Sequence, residues 1–182
     1  MAQWQQNRVG LWVAIVVLLA GAPAWAVESV DGPGDWVLAT VVVGKDGAPE
    51  VERKLGLSSC LLPSSSGETL SYLYNVSGAQ GPYFLRLEVN GRVDAITISK
   101  DPPIAGVCYA PTRQAVSVQT GKGLNLGATI EEVVSLYGKP TESFSVGPMT
   151  RFRYIAMYER PYEWDLVFRS GHLVEWTVAT ED

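Results

Sequence analysis

The 182-residue sequence has one histidine, two cysteines and fewer basic than acidic side chains. Its 14 Lys and Arg residues against 19 Asp and Glu residues give a net charge of -5, which argues against nucleic-acid binding, because that needs an excess of cations. The two cysteines are far apart, and no His-Glu-x-x-His, Cys-x-x-Cys or calcium-loop spacing occurs. The sequence therefore indicates no metal site.

His172 is the single histidine and thus the only imidazole that could act as a general base. A nucleophile and a histidine must meet in one pocket, and no Gly-x-Ser-x-Gly motif provides the serine. His172 also follows the Ser170-Gly171 turn, where a solvated hairpin residue is the ordinary interpretation. We predict a protein that is not an enzyme. A small exported hydrolase that uses His172 stays open as an alternative.

The longest apolar run lies near the N-terminus, where Leu11 to Ala22 are twelve apolar or small residues. A membrane-spanning helix needs about 20 such residues, whereas a secretory leader needs about 7 to 15, followed by small residues at the cleavage site. Ala24 and Ala26 occupy those small positions. We predict a signal peptide over residues 1–26 and a periplasmic or secreted protein without a transmembrane segment after its removal.

Export would place Cys60 and Cys108 in an oxidising compartment, where they can pair if their Cα atoms come within about 7 Å. In the chain-entropy model, such a bond would stabilise the fold by about 4 kcal/mol. We predict a Cys60–Cys108 disulfide. Two separate buried thiols are the alternative.

The C-terminal half contains a well-delimited helix. Thr129 and Glu132 form a capping box, and Gly138 and Pro140 end the segment. Between them, apolar side chains recur at helical spacing, at Ile130, Val133, Val134 and Tyr137. These signals predict a short amphipathic helix.

A weaker copy of this pattern lies in the N-terminal half, where Glu50 to Leu55 read as a helix that ends at Gly56. Tyr72 and Tyr154 are separated by the same number of residues as Gly56 and Gly138, so they occupy equivalent positions in the two copies. Three strand-like segments follow each helix: Thr69 to Asn75, Tyr83 to Val89 and Arg92 to Ser99, then Thr150 to Tyr158, Trp164 to Arg169 and His172 to Thr180.

These patterns predict an α+β fold made of two helix-plus-antiparallel-sheet repeats, each with the order helix, strand, strand, strand. The predicted organisation is a signal peptide over 1–26, an N-terminal arm and strand over 27–41, a first repeat over 42–100, a linker over 101–123 and a second repeat over 124–182. Val116 and Val118 are candidates for a short extra strand within the linker.

The second copy carries a recognisable pattern, Leu126-Gly-Ala-Thr-Ile-Glu-Glu-Val-Val-Ser-Leu-Tyr-Gly-Lys-Pro140, followed by a tyrosine-bearing strand and Leu166-Val-Phe-Arg-Ser-Gly-His-Leu-Val174. It resembles the small repeat domain of bacterial envelope proteins, a group that includes the assembly factor BamE (SmpA/OmlA-like) and the tandem-repeat β-lactamase inhibitory protein. The resemblance implies helices packed on one face of the antiparallel sheet. It also implies an activity of binding other proteins, without a cofactor. The first copy matches only through Gly44, Gly56, Tyr72 and Asn90-Gly91, and no lipid-attachment cysteine follows the leader.

Strand alternation in the second copy predicts a buried aromatic face with Phe152, Phe168 and Trp176. Tyr158, Tyr162 and Trp164 flank the Glu159-Arg160-Pro161 turn, where aromatic rings are harder to bury, so we predict them as contacts to a partner. The exposed sheet face beside them would carry Arg151, Arg153, Arg169 and Glu175. On that face, Glu163 and Asp165 are expected to form cross-strand ion pairs with Arg151 and Arg153.

Together these features predict an exported protein-binding module of the bacterial envelope whose partner is another envelope or exported protein. A structural envelope protein that assembles through its own sheet edges is a further alternative.

Overall fold

The computed structural model describes residues 37–78, 81–113, 115–157 and 160–180. The predicted signal peptide, residues 27–36 of the predicted arm, and Tyr158 lie outside the described residues. Within them, no helix is long and apolar enough to cross a membrane.

Two helices and eleven strands make up the described chain. In order they are β1 (Val37–Leu38), β2 (Val41–Val42), α1 (Ala48–Leu55), β3 (Leu61–Pro63), β4 (Leu70–Gly78), β5 (Gly81–Asn90), β6 (Arg92–Ser99), β7 (Ala110–Pro111), α2 (Ile130–Tyr137), β8 (Glu142–Val146), β9 (Met149–Met157), β10 (Pro161–Arg169) and β11 (His172–Thr180).

One antiparallel sheet dominates the structure, with the strand order β3-β4-β5-β6-β11-β10-β9-β8. The strand β7 pairs in parallel with β4, and β1 and β2 form a separate small hairpin. The two halves of the chain meet where β6 pairs with β11, with Ile98 opposite Trp176 and Thr97 opposite Thr177. This pairing merges the strands of both halves into a continuous sheet.

The predicted α+β fold of two helix-plus-sheet repeats is therefore wrong, because the chain is mostly antiparallel β-sheet. Each helix has only eight residues, whereas β9, β10 and β11 have nine residues each. An eight-residue helix is about 12 Å long and covers only part of a sheet this wide. Period-2 alternation of apolar and polar side chains, rather than helical spacing, organises most of the core.

The end signals of α2 were predicted correctly. Thr129 Oγ1 accepts a 3.2 Å hydrogen bond from the Glu132 amide, and Glu132 Oε2 accepts a 2.7 Å bond from the Thr129 amide. Gly138 ends the helix with a φ of 76°, in the left-handed region that glycine adopts without a Cβ penalty.

The core lies on the sheet face that carries the helices. Both helices contribute buried aliphatic side chains to it, Val51 and Leu55 from α1 and Val133 from α2. The sheet contributes the alternate residues of its long strands, including Tyr74, Leu85, Leu87, Ile96, Ile98, Tyr154, Leu166, Phe168, Trp176 and Val178. Phe152, Phe168 and Trp176 are buried there, as predicted.

The predicted linker is bound to this core. Thr120 is buried, and its Oγ1 lies 2.9 Å from both the Leu124 amide nitrogen and the Tyr137 hydroxyl. Val116 and Val118 pack against the core but do not form the suggested strand. The segment instead contains β7, so that residues 110–111 extend the sheet beside β4.

Candidate functional site

The opposite sheet face, here called the open face, carries the other alternate residues in three cross-strand rows. The first row is Phe144, Arg151, Val167, Glu175, Ser99 and Phe84; the second is Glu142, Arg153, Asp165, Thr177, Thr97 and Arg86; the third is Ile155, Glu163, Ala179, Ala95 and Glu88. The first two rows run straight across the six strands from β8 to β5, and the third crosses the five strands from β9 to β5, because the register is continuous at these positions.

Charged side chains on β9 and β10 pair with each other in the plane of the open face. Arg151 Nε donates a 2.9 Å hydrogen bond to Asp165 Oδ1, and a second contact joins Arg151 Nη2 to Asp165 Oδ2. Arg153 Nε lies 2.7 Å from Glu163 Oε1 and 3.5 Å from Asp165 Oδ1. The predicted cross-strand ion pairs are confirmed, and they hold these side chains in fixed positions.

The Asp165 carboxylate is the centre of this network. Its side chain is only 14% exposed, and burial by itself would raise its pKa. The hydrogen bond from Arg151, together with contributions from Glu163 and Arg153, outweighs burial and lowers the pKa of Asp165 below its ordinary value. Asp165 is therefore a stable anion at neutral pH.

Glu175 lies in the first row between Val167 and Ser99 and differs from its charged neighbours. Its carboxylate makes no hydrogen bond and no ion pair within 4 Å to any described residue. Burial raises the pKa of Glu175, and the more distant charges of Arg151 and Arg86 only partly oppose that effect. The open face thus contains one half-buried carboxylate that lacks a direct partner within the described chain.

Small side chains occupy the seam between β6 and β11. Ala95 lies opposite Ala179, and Thr97 lies opposite Thr177, with 2.9 Å between their Oγ1 atoms. Larger charged side chains stand on both sides of this seam, from β5 and from β10. The four side chains of the seam are all partly exposed, so the seam is accessible to another molecule.

The disulfide and the segment after β6 border the open face on its β4 side. The Cys60–Cys108 disulfide is formed, with 5.6 Å between the two Cα atoms, which confirms the prediction. Next to it, the Tyr109 ring packs edge-to-face on Phe84, with ring centroids 5.0 Å apart. The crosslink therefore fixes residues that lie against the first row.

The residues predicted as a binding site lie in two places. Arg151, Arg153 and Glu175 are on the open face, as expected, and Arg169 is exposed at the end of β10 and bonds to Asp101 at 2.9 Å.

Two of the three predicted aromatic contacts, Tyr162 and Trp164, do not lie on the open face. Trp164 is 5% exposed and belongs to the core, and Tyr162 is partly buried against it, so these two rings are not the expected exposed contacts. The reason is that β10 begins at Pro161, so its alternation already directs Tyr162 and Trp164 to the face of Leu166. The burial of Trp164 could have been read from that alternation.

The sequence reasoning missed the part of the open face that β5 and β6 provide. Arg86, Glu88, Ala95 and Thr97 join the site only because β6 pairs with β11. No local pattern signals a pairing between strands so distant in sequence, so only the β9 to β11 part was recognisable.

His172 does not form a catalytic arrangement with its neighbours. It is exposed, and its Nδ1 lies 3.1 Å from the backbone carbonyl oxygen of Gly127. No carboxylate or hydroxyl of the described residues bonds to it, and these residues include no group of three metal-ligating side chains. The geometry therefore gives the hydrolase alternative no support.

Comparison with known proteins gives two similar solved structures. No protein-family model and no curated protein matches the chain. An extracellular protein containing an SCP domain from Bacillus anthracis str. Ames is 13% identical, with a TM-score of 0.46 over 75% of this chain and 43% of that chain. A DUF4309 family protein (YjgB) from Bacillus subtilis subsp. subtilis str. 168 is 16% identical, with a TM-score of 0.44 over 78% of this chain and 82% of that chain. The chain thus spans less than half the length of the first of these proteins.

Proposed function

We propose that this chain is an exported, non-enzymatic binding module that takes a partner protein on its open face. The observation that carries the proposal is Glu175, a half-buried carboxylate on the polar sheet face that has no direct partner among the described residues. An unpaired buried charge destabilises a protein, and groups that cost stability are frequently retained for function.

The arrangement around Glu175 suits recognition of a surface. Arg151 and Arg153 are already held by Asp165 and Glu163, so little side-chain freedom would be lost when a partner binds. The small side chains of the β6–β11 seam leave room for a side chain of the partner to reach Glu175. A binding face of this kind needs neither a nucleophile nor a metal.

Charge indicates the chemistry of the partner. The open face carries more carboxylates than guanidinium groups: Glu88, Glu142, Glu163, Asp165 and Glu175 against Arg86, Arg151 and Arg153. Complementary charge favours a partner that presents Lys or Arg side chains. The Cys60–Cys108 disulfide supports export, so we propose that the partner is another exported or envelope protein.

The test is a comparison of two arginine substitutions. Ala95→Arg places a long cation on the seam, whereas Ser135→Arg adds the same side chain at an exposed position of α2, which packs on the other side of the sheet. The immobilised protein and both variants would be exposed to exported proteins, and any retained protein would be purified and its affinity measured by calorimetry. Circular dichroism and thermal unfolding would verify that both variants are folded.

We expect the partner to bind the parent and Ser135→Arg with equal affinity and to lose at least about tenfold with Ala95→Arg, because one blocked contact at the centre of an interface costs more than 1.4 kcal/mol. Equal binding to all three proteins would place the interface elsewhere. Absence of any saturable partner would reject the binding-module proposal.

A further inference from the structure

The last strand of the sheet, β8, has an outer edge that is unpaired within the described part of the chain. All five of its residues are exposed, with Phe144 68% and Val146 61% exposed. Its register with β9 is unbroken, and it contains neither Pro nor Lys, the residues that commonly block edge pairing. Among the described residues, no strand pairs with this edge.

The opposite edge of the sheet is better protected. The outermost strand there, β3, has only three residues and ends at Pro63, which cannot donate a backbone hydrogen bond. The sheet therefore has one edge that is closed to further strands and one that is open.

The hairpin between β8 and β9 determines which backbone groups point outward. Val146 pairs with Met149 across a two-residue turn, and such a closing pair is hydrogen-bonded. Hydrogen-bonded pairs alternate along an antiparallel ladder, so Phe144 and Glu142 also direct their backbone groups to β9. The amide of Ile155, which donates to Thr141 Oγ1 at 3.2 Å, shows the same alternation on β9. The N–H and C=O groups of Ser143 and Ser145 consequently point away from the sheet.

We propose that β8 pairs with β8 of a second copy of this chain, antiparallel and centred on Phe144. In this register, Ser143 and Ser145 of one copy face Ser145 and Ser143 of the other, and each such pair exchanges two backbone hydrogen bonds. The outward groups of one strand thus match those of an identical strand turned by 180°. The two sheets become one, and their open faces lie side by side.

The side chains favour a second copy as the occupant. The symmetric register places the two Phe144 rings directly opposite each other as a non-hydrogen-bonded pair, the closer of the two kinds of cross-strand pair. Glu142 of each copy falls opposite Val146 of the other, so no like charges face each other across the join. The pairing also covers the two most exposed apolar side chains of the strand.

Two single-cysteine variants, compared with each other, test the register of the proposed strand pairing. In the Phe144→Cys variant the two Cα atoms would be about 4.5 Å apart, within the range of a disulfide. In the Val146→Cys variant they would be about 13 Å apart, because the two residues are four positions out of step along the strands. The native cysteines are already paired with each other, so each variant has one new thiol. We expect mild oxidation to crosslink the Phe144→Cys chain into dimers and to leave Val146→Cys largely monomeric.

Sedimentation equilibrium tests the pairing without a crosslink. Ser145→Pro removes the outward N–H group, whereas Ser145→Ala keeps it, and both lose the 3.0 Å contact with Thr150 Oγ1. We expect the purified chain and Ser145→Ala to reach twice the chain mass as concentration rises. Ser145→Pro should associate at least about tenfold more weakly, because it removes backbone hydrogen bonds at both symmetric positions.

Three results would overturn the proposal. They are a monomer at every concentration with no Phe144→Cys crosslink, association that is equally strong in Ser145→Pro and Ser145→Ala, and equal crosslinking of the two cysteine variants. If Ser145→Pro fails to fold, the crosslinking of the two cysteine variants tests the proposal by itself. Strand addition by a different protein would appear as a monomeric chain whose β8 edge is occupied only when that protein is present.

Discussion

The Tyr154 hydroxyl donates a 3.0 Å hydrogen bond to the backbone carbonyl of Gly138, the residue that ends α2. Tyr74 makes the same contact with Gly56 at the end of α1, at 2.8 Å. Both rings are buried, and burial raises the pKa of Tyr154 to about 12 and that of Tyr74 above its ordinary value. Each helix is therefore joined to the sheet through a carbonyl at its C-terminal end.

Tyr154→Phe and Tyr74→Phe should each lower the free energy of unfolding by about 1 to 2 kcal/mol, because each leaves a helix-end carbonyl without its donor. Urea unfolding followed by circular dichroism measures the difference. Tyr72→Phe is the matched control, since Tyr72 is a buried neighbour on β4 whose hydroxyl makes no hydrogen bond to the described residues. Equal losses in all three variants would show that these hydrogen bonds have no specific contribution.

The same tyrosines show how far sequence reasoning reached. The spacing of Gly56 and Gly138 matched Tyr72 with Tyr154. In the structure, however, the counterpart of Tyr154 is Tyr74, which bonds to the end of α1 as Tyr154 bonds to the end of α2. Tyr74 lies on the same face of β4 as Tyr72, two residues further along. Period-2 alternation gives the face of a residue and not its position along the strand, so an error of two residues leaves the pattern intact. Only the three-dimensional register distinguishes the two tyrosines.

Sequence patterns predicted correctly those features that depend on a few neighbouring residues. The capping box of Thr129 and Glu132, the end of α2 at Gly138 and the ion pair of Arg151 with Asp165 all depend on one helix end or on two adjacent strands. The disulfide was also predicted, although from the compartment rather than from geometry.

The architecture could not be predicted in the same way. The pairing of β6 with β11 joins Thr97 to Thr177 across a large sequence separation and produces one sheet in place of two repeats. Period-2 patterns show that a segment is a strand and which face is buried, but they do not name the neighbouring strand. The same limit applies to the site, because two of the six strands that form the open face, β5 and β6, come from the first half of the chain.

The Cys60–Cys108 disulfide should contribute about 4 kcal/mol to stability, because it closes a loop over a sequence separation of 48 residues. Replacing both cysteines by Ala should lower the free energy of unfolding by that amount. It should also speed amide hydrogen exchange around Tyr109, which the bond holds against Phe84.

Urea unfolding and hydrogen exchange of the double variant, compared with the oxidised parent, provide the measurement. Reduction of the parent with dithiothreitol is the internal control, since it should give the same loss without a change of sequence. An unchanged free energy of unfolding in both cases would contradict the expected stabilisation.

Asp165→Asn should destabilise the protein at neutral pH by about 1 kcal/mol, a modest figure because Arg151 is half exposed and water screens the pair. The pKa of Asp165 is lowered in the folded protein, so its contribution is present above the unfolded value of about 3.9 and is lost as the pH falls through the folded value. The stabilities of parent and variant should therefore converge in strong acid. Thermal unfolding at pH 7 and near pH 2 tests this, and a difference that is constant with pH would refute it.

Glu175→Gln should have the opposite effect, because burial raises the pKa of Glu175 in the folded protein. The contribution of such a group to the free energy of unfolding is fully present below its pKa in the unfolded chain, about 4.3. That contribution is lost as the pH rises through its pKa in the folded protein. The amide cannot ionise, so we expect Glu175→Gln to unfold at a higher temperature than the parent at pH 7 and at nearly the same temperature at pH 4. Glu68→Gln, at an exposed loop position, makes the same chemical change as a control.

The proposed function adds a second expectation for the same variant. If Glu175 binds a cation of the partner, Glu175→Gln should weaken the complex while it stabilises the free chain, because the carboxylate gains its counter-charge only on binding. Thermal unfolding and calorimetry on one preparation measure both effects. A variant that is more stable and binds the identified partner with unchanged affinity would show that the unpaired carboxylate has no part in recognition, and the interface would then have to lie away from the centre of the open face.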